Sequence, residues 1–345
     1  MNKQNQQPES VVKKRKRALV VTVIALILMA VMFLISLNTG FIKLSPAEVF
    51  QTVLGQGEDR QELILFQFRL PRMIIAILVG MGLAVSGTVL QGIVRNPLAD
   101  PGIIGINAGA GMAVMIFIFF FSTEVGGSVF LLPLAAFAGA GLTAFVIYAL
   151  SYKRGEGVSP IRLILVGVAV AAGISALMIV LTLKLDPRTY QFLATWLAGS
   201  IWGSNWSFVY SLLPWLIILI PFVYMKSSVL NVLNLGDSTS VSLGLNLERE
   251  RRVLLAAAVG LAASSVSVSG GIGFVGLIAP HITRQLVGSN HHYVIPVSAL
   301  LGGLLVLIAD TIGRVILQPA EIPAGIIVAI IGAPYFLYLL AKLND

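Results

Sequence analysis

The sequence predicts an all-α polytopic membrane protein, and three observations carry that prediction. Of 345 residues, 57% are apolar and only 11% are charged, with a mean hydropathy of +0.93. A soluble domain carries about 25% charged residues, so a water-soluble enzyme is excluded on composition. Ten apolar stretches of about 20 residues recur along the chain, each close to one hydrocarbon thickness as a helix. Glycine contributes 34 residues, as expected where membrane helices pack backbone to backbone. The formal charge of +8 comes from Lys and Arg spread over short loops, which reads as an orientation signal and not as a nucleic-acid surface. There is no cysteine, which excludes disulfides, thiolate metal sites and cysteine nucleophiles.

Residues 1–17 form a polar tail ending in Lys13-Lys14-Arg15-Lys16-Arg17, and 18–345 are expected to form one transmembrane domain. Ala18 to Leu37 runs without a charge. No small-residue cleavage site follows in Leu37-Asn38-Thr39-Gly40-Phe41, so this stretch is expected to be a retained span. The other spans are expected at about 73–94, 103–121, 129–151, 162–183, 207–225, 253–269, 272–288, 294–316 and 324–341. The interrupted stretch 188–203 is expected to be a short surface helix. With the basic tail cytoplasmic, ten spans return the C-terminus to the same side. Sixteen of the 23 Lys and Arg then fall inside and seven outside, while the 15 acidic residues split seven to eight. Only basic residues set orientation, and this is their pattern. Small residues recur at helical spacing (Gly80/Ala84/Thr88, Gly82/Ser86, Gly105/Gly109, Gly167/Ala171, Ala169/Gly173), which reads as bundle packing without chemistry.

Nothing in the chain supplies an energy source. Gradient-driven carriers place carboxylates or unwound helices near the midplane. The carboxylate within a span here is Asp310, with Arg314 one turn on at i+4, where the two can pair. No G-x-x-x-x-G-K-[ST] loop, H-E-x-x-H pair or Ser-His-Asp arrangement is present. His281, His291 and His292 fall in one cytoplasmic loop without partner acids, which reads as a solvated surface feature and not as a metal site. No cofactor is therefore expected on this chain, and the driving chemistry is expected on another.

Two segments carry a resemblance. The first is Arg69-Leu70-Pro71-Arg72, then Gly80 to Gly92, ending Arg95-Asn96-Pro97-Leu98-Ala99-Asp100-Pro101-Gly102. The second is Gly271-Ile272-Gly273-Phe274-Val275-Gly276-Leu277-Ile278-Ala279-Pro280-His281-Ile282-Thr283-Arg284, followed by Ala309-Asp310-Thr311, Glu321-Ile322-Pro323-Ala324-Gly325 and Gly332-Ala333-Pro334. These resemble the permease subunits of iron-siderophore, haem and cobalamin ABC importers, over residues 60 to 341. The resemblance implies a cobalamin-importer-permease-like fold in the cytoplasmic membrane. It also implies a second permease subunit (identical copy or paralogue), two ATP-binding cassette subunits holding ATP-Mg, and an extracytoplasmic substrate-binding protein.

The same resemblance assigns roles. Arg69, Arg72 and Arg314 face outside against the cytoplasmic bias and are expected to receive acidic residues of the binding protein, for which a planar guanidinium is suited. Asn96 and Leu98, in a turn made rigid by Pro97 and Pro101, are expected to meet their copies across a dimer axis as the cytoplasmic gate. Ser159 and Pro160 are a weaker gate candidate. A coupling segment at 229–252, with Leu235, Gly236 and Gly244, is expected to dock on the ATPase through short broken helices with an apolar face. Pro280 and His281 are expected to contribute from a second stretch, Pro280 to Tyr293. A ferric siderophore is the favoured cargo, with haem or cobalamin as alternatives. A gradient-driven carrier is disfavoured by the missing midplane carboxylates, and an intramembrane enzyme by the missing paired acids, metal cluster or Ser/His set.

Overall fold

The computed structural model describes residues 6–40, 42, 45–121, 130–154 and 157–343. Residues 1–5 of the basic tail, Lys43 and position 129 lie outside the described residues. Helix α1 (Gln6–Asn38) begins inside the basic tail, and Arg17 Nη2 donates to the Gln285 carbonyl at 3.1 Å. Short helices α2 (Pro46–Val53) and α3 (Asp59–Glu62) follow on the outer side and lead through a π-helical turn, Leu63–Arg69, into α4 (Leu70–Val94). Helical backbone thus starts well before residue 73. Pro71 has no N–H to give the preceding turn and its ring crowds the carbonyl four residues back, and the wider turn absorbs both. A 3₁₀ turn, Pro101–Ile104, precedes α5 (Ile106–Phe121), and α6 (Leu131–Ser151) leads into a two-stranded hairpin, β1 (Tyr152–Lys153) with β2 (Gly157–Val158). Then come α7 (Pro160–Thr182), α8 (Pro187–Leu197), α9 (Trp206–Met225), α10 (Ser227–Leu233), α11 (Asp237–Ser242) and α12 (Leu247–Ser269). Helices α13 (Val275–Val287), α14 (His291–Ile316) and α15 (Ala324–Leu343) close the chain.

Helix α4 is the axle. It is buried from Val79 to Val94 apart from Met81, and α14, α12, α13 and α9 pack around it. Small residues let the backbones touch. A Cβ placed on Gly80 would overlap the Gly302 carbonyl of α14, and one on Gly87 would overlap the Gly276 carbonyl of α13. The expected small-residue faces of α4 are therefore packing faces. On α7, Gly167 is buried and packs toward Gly105, whereas the Ala169/Gly173 face is open within this chain, a Cβ at Gly173 meeting nothing within 4 Å. Helices α1 and α7 bury little of themselves and present Leu19, Leu34, Leu165 and Ile179 outward.

All ten expected stretches are helical, and among the described residues eight helices are long and apolar enough to cross a membrane. The other two are short. The stretch 272–288 was expected as a full span, but only the 13 residues of α13 are helical, about 20 Å. The physical reason lies in Gly270 (φ 67°) and Phe274 (φ 64°), which hold the left-handed region and break the helix. Helix α5 likewise starts only after the 3₁₀ turn and Gly105. Both breaks lie deep: Gly276 faces the Leu83 carbonyl and Pro101, about 17 Å along α4 from Val94. The stretch 188–203 contains the expected short helix and departs from expectation only at its far end. Asp186 caps α8 through the backbone of Arg188 and Thr189, but the far end turns inward, with Leu193 and Trp196 buried. Gly325 N–H donates to the Gly199 carbonyl at 2.9 Å, and a Cβ on Gly270 would overlap the Trp196 carbonyl. Irregular backbone survives at this depth only when buried in protein or facing water.

Gly87→Val is expected to lower the melting temperature of the purified protein markedly, because backbone on both sides cannot yield; overpacking costs about 1–3 kcal/mol. Gly173→Val, with open space around it, is expected to leave the melting temperature unchanged. Thermal unfolding in detergent measures both.

Candidate functional site

The outer face is organised by one carboxylate. Asp310, 1% exposed, accepts from Arg72 Nε at 2.9 Å, lies 2.7 Å from Arg72 Nη2, and pairs through Oδ2 with Arg314 Nε at 3.1 Å. Arg72 Nη1 reaches Glu321 Oε2 at 2.7 Å. Arg314 also donates to the Thr39 carbonyl at 3.0 Å and to Ser36 Oγ, and Arg69 donates to the Leu37 and Ile42 carbonyls. These acceptors include carbonyls at and just beyond the C-terminal end of α1, where the helix leaves them without partners. The three arginines expected to face the binding protein are therefore not equally placed for it. Arg69 and Arg314 are about 5% exposed and tie down α1, while Arg72 and Glu321 border an outward cavity of about 450 Å³ together with the exposed Arg188. The i+4 pairing of Asp310 with Arg314 is present as the spacing predicts.

On the cytoplasmic side, Arg95 (φ 55°) ends α4 in a left-handed conformation and starts the turn expected to form the gate. The Asn96 side chain accepts from Leu98 N at 2.9 Å, so its carboxamide oxygen fixes the turn. Leu98 is half-buried against Leu277, Ile278 and Leu339, which gives its apolar character a cause inside this chain. The turn then dips inward. Gln91 Nε2 donates to the Ala99 and Gly276 carbonyls at 3.0 Å each, and Arg284 donates to Gln91 Oε1. Sequence reasoning missed Gln91 and Arg284; an amide in an apolar span was the available signal. Asp100 is buried, and its Oδ1 accepts from Gly102 N at 2.8 Å. Ser159 occupies the cap position of α7, and Pro160 shares a cavity of about 240 Å³ with Ile93 and Asp237.

The coupling segment is built on short helices with exposed apolar side chains. Leu235, Val241 and Leu243 are each more than half exposed. Gly236 (φ 105°) and Gly244 (φ 82°) make the turns that separate α10, α11 and α12. Asp237 Oδ1 lies 2.9 Å from Arg95 Nη2 and 2.7 Å from Arg251 Nη2, so one oxygen joins the gate turn, α11 and α12. Lys226 pairs with Glu250 at 2.8 Å. The second stretch divides between buried and exposed residues. Pro280 is buried, while the half-exposed His281 lies against Gln285 and the Tyr335 ring. The solvated reading of the histidines fails for His291. His291 is 2% exposed with its ring nitrogen 2.8 Å from Asn231 Oδ1, and His292 meets Ser227 Oγ at 2.7 Å, which fastens α14 to α10. No group of three metal-ligating side chains occurs among the described residues.

The profile of the FecCD transport family matches residues 27–342. The chain is 50% identical over 335 residues to the iron(3+)-hydroxamate import system permease protein FhuG of Bacillus subtilis (strain 168), covering 96% of this chain and 99% of that one. It is 37% identical over 325 residues to the hemin transport system permease protein HmuU of Yersinia pestis, covering 93% and 95%. A solved metal-chelate type ABC transporter in an inward-facing conformation superimposes with a TM-score of 0.81 at 33% identity, over 93% of this chain and 99% of that one.

Asp310→Ala is expected to destabilise the protein by about 3–5 kcal/mol, since it strands two arginines at a buried site. Glu321→Ala, at the more exposed end of the same network, is expected to cost far less; chemical denaturation separates the two.

Proposed function

The chain belongs to the FecCD transport family, and on that premise we propose that it carries ferric siderophores inward as one of two permease subunits sharing a pathway. It is a multi-pass permease of an ABC importer in the cytoplasmic membrane, a transport component whose ATP hydrolysis belongs to a separate ATPase. In our reading two ATP-binding cassette subunits carry ATP-Mg, an extracytoplasmic binding protein delivers the chelate, and the second permease is a copy or a paralogue. Residues 18–345 act as one permease unit, with 229–252 as its coupling segment. Iron-hydroxamate and hemin permeases among the relatives support an iron chelate as cargo.

The observation that carries this reading is the shared oxygen of Asp237. Exposed Leu235, Val241 and Leu243 are an apolar surface for an ATPase to grip, and Asp237 connects that surface to Arg95, which adjoins Asn96 and Leu98. A push on α11 thus reaches the gate turn through an ion pair instead of through solvent. On the outer face, with Arg69 and Arg314 committed inside, docking falls to Arg72 and the exposed Arg188 around their cavity.

Reconstitution with the ATPase and binding protein tests the reading. Uptake of a ferric siderophore is expected to require ATP and to survive collapse of the ion gradients; uptake driven by a gradient without ATP would overturn it. Asp237→Asn is expected to leave the ATPase bound while iron carried per ATP falls several-fold, with Asp237→Glu retaining part of the coupling. Normal coupling in Asp237→Asn would remove this contact from the path.

A further inference from the structure

Where α4, α10 and α13 end on the cytoplasmic side lies a cavity of about 250 Å³. Its wall includes Arg95, Asn96, Asn234, Arg284, Ser289 and His291, and no acidic side chain is among the described residues that line it. Hydrogen-bond donors predominate. Arg284 carries five N–H donors, gives one to Gln91 Oε1 and meets no carboxylate among the described residues. Arg95 pairs with Asp237, but that acid is shared with Arg251, so the positive charge is only partly balanced. Asn96 commits its oxygen to Leu98 N, which leaves its amide N–H groups for the cavity. Asn234 is exposed, and its side chain makes no hydrogen bond to the described chain.

One acceptor stands among these donors. Asn231 Oδ1 accepts from the His291 backbone N–H at 2.9 Å and from ring Nδ1 at 2.8 Å, while its Nδ2 donates to Asn290 Oδ1 at 3.0 Å. The ring proton is thereby assigned to Nδ1, and in the neutral ring Nε2 keeps a lone pair. His291 is 2% exposed, yet Nε2 has no hydrogen-bond partner among the described residues. It lies beside Gly92, another residue of the cavity wall, where a Cβ would stand 3.3 Å from it.

A ligand that satisfies this wall is an anion that also offers a proton. Carboxylate and sulfate suit the guanidiniums but set a lone pair against Nε2. Hydrogenphosphate supplies both, with oxygens for the arginines and amides and one O–H for the imidazole. The volume lies below the range of about 300–1,000 Å³ usual for larger organic ligands, which suits a small ion with water. No aliphatic side chain except Pro97 lines the cavity to receive an acyl chain, so the ion comes from solution. ATP hydrolysis by the partner subunit releases it on this side of the membrane.

We propose that this cavity binds inorganic phosphate as hydrogenphosphate, held by Arg284 and Arg95 and selected by the lone pair of His291 Nε2. A bound ion joins the gate turn through Arg95 and Asn96, the end of α10 through Asn234, and α13 through Arg284.

The test is calorimetric titration of sodium phosphate and sodium sulfate into the full-length permease in detergent, at matched ionic strength and about pH 8. The ATPase is left out, because its nucleotide site would take phosphate itself. At that pH both ions are tetrahedral dianions, and only hydrogenphosphate keeps an O–H. Phosphate is expected to bind at least about tenfold more tightly than sulfate, which leaves Nε2 facing an oxygen lone pair. Asn234→Asp puts a carboxylate at an exposed position and is expected to weaken phosphate about tenfold, with an unchanged melting temperature. Gly92→Ala sets a Cβ against Nε2 and is expected to weaken phosphate more than sulfate. Equal affinity of wild type for the two ions would overturn selection by His291. Absence of phosphate binding, or unchanged affinity in both variants, would overturn the site. If phosphate fails to bind while Asn234→Asp lowers affinity for the ATPase, the cavity receives an acidic side chain of that partner and the proposal falls.

Discussion

Everything else in this molecule depends on how closely backbone can approach α4. Glycine at 80 and 87 lets α14 and α13 lie against it at carbonyl contact, which no side chain would permit. In lipid there is no hydrophobic gain from pressing helices together, so the attraction must come from dispersion at short range. That contact sets the depth of the short α13, whose irregular start then meets the inward-dipping turn around Asp100. The register of α14 against α4 also brings Asp310 level with Arg72. The outer charge network and the inner turn are consequences of one packed seam.

The periodic part of this arrangement was legible and the aperiodic part was not. Each of the ten apolar stretches is helical because uninterrupted hydrophobicity leaves the backbone no other way to pair its polar groups. Where α13 begins was hidden, since Gly270 to Phe274 are apolar by composition and break the helix only through their backbone angles. The arginines show the limit on the site. Spacing predicted the pairing of Asp310 with Arg314, a local i+4 relation, but Arg72 joins it from 238 residues away. Whether Arg69 is free or buried depends on the ragged end of α1, which no local pattern reports. Asn231 and His291 are a similar case, an ordinary polar pair in sequence and a fastening between α10 and α14 in space.

The two faces of the molecule use charge differently. Outside, a buried carboxylate pairs with two arginines, joining α4 to α14, and Arg314 extends that hold to the end of α1. Inside, Asp237 is partly exposed and shares a single oxygen between two arginines, which suits a contact that must loosen and re-form.

The clamp on α1 has a consequence for how the protein is made. This helix is the most hydrophobic span and buries little of itself, so it can leave the translocon and sit in lipid alone. Its last carbonyls then face the hydrated outer boundary, where water can serve them until Arg69 emerges. Ser36 and Thr39 wait longer still, because Arg314 is synthesised some 275 residues later. The first segment to enter the bilayer is thus among the last to be locked, and its outer end reports when the ninth span has arrived.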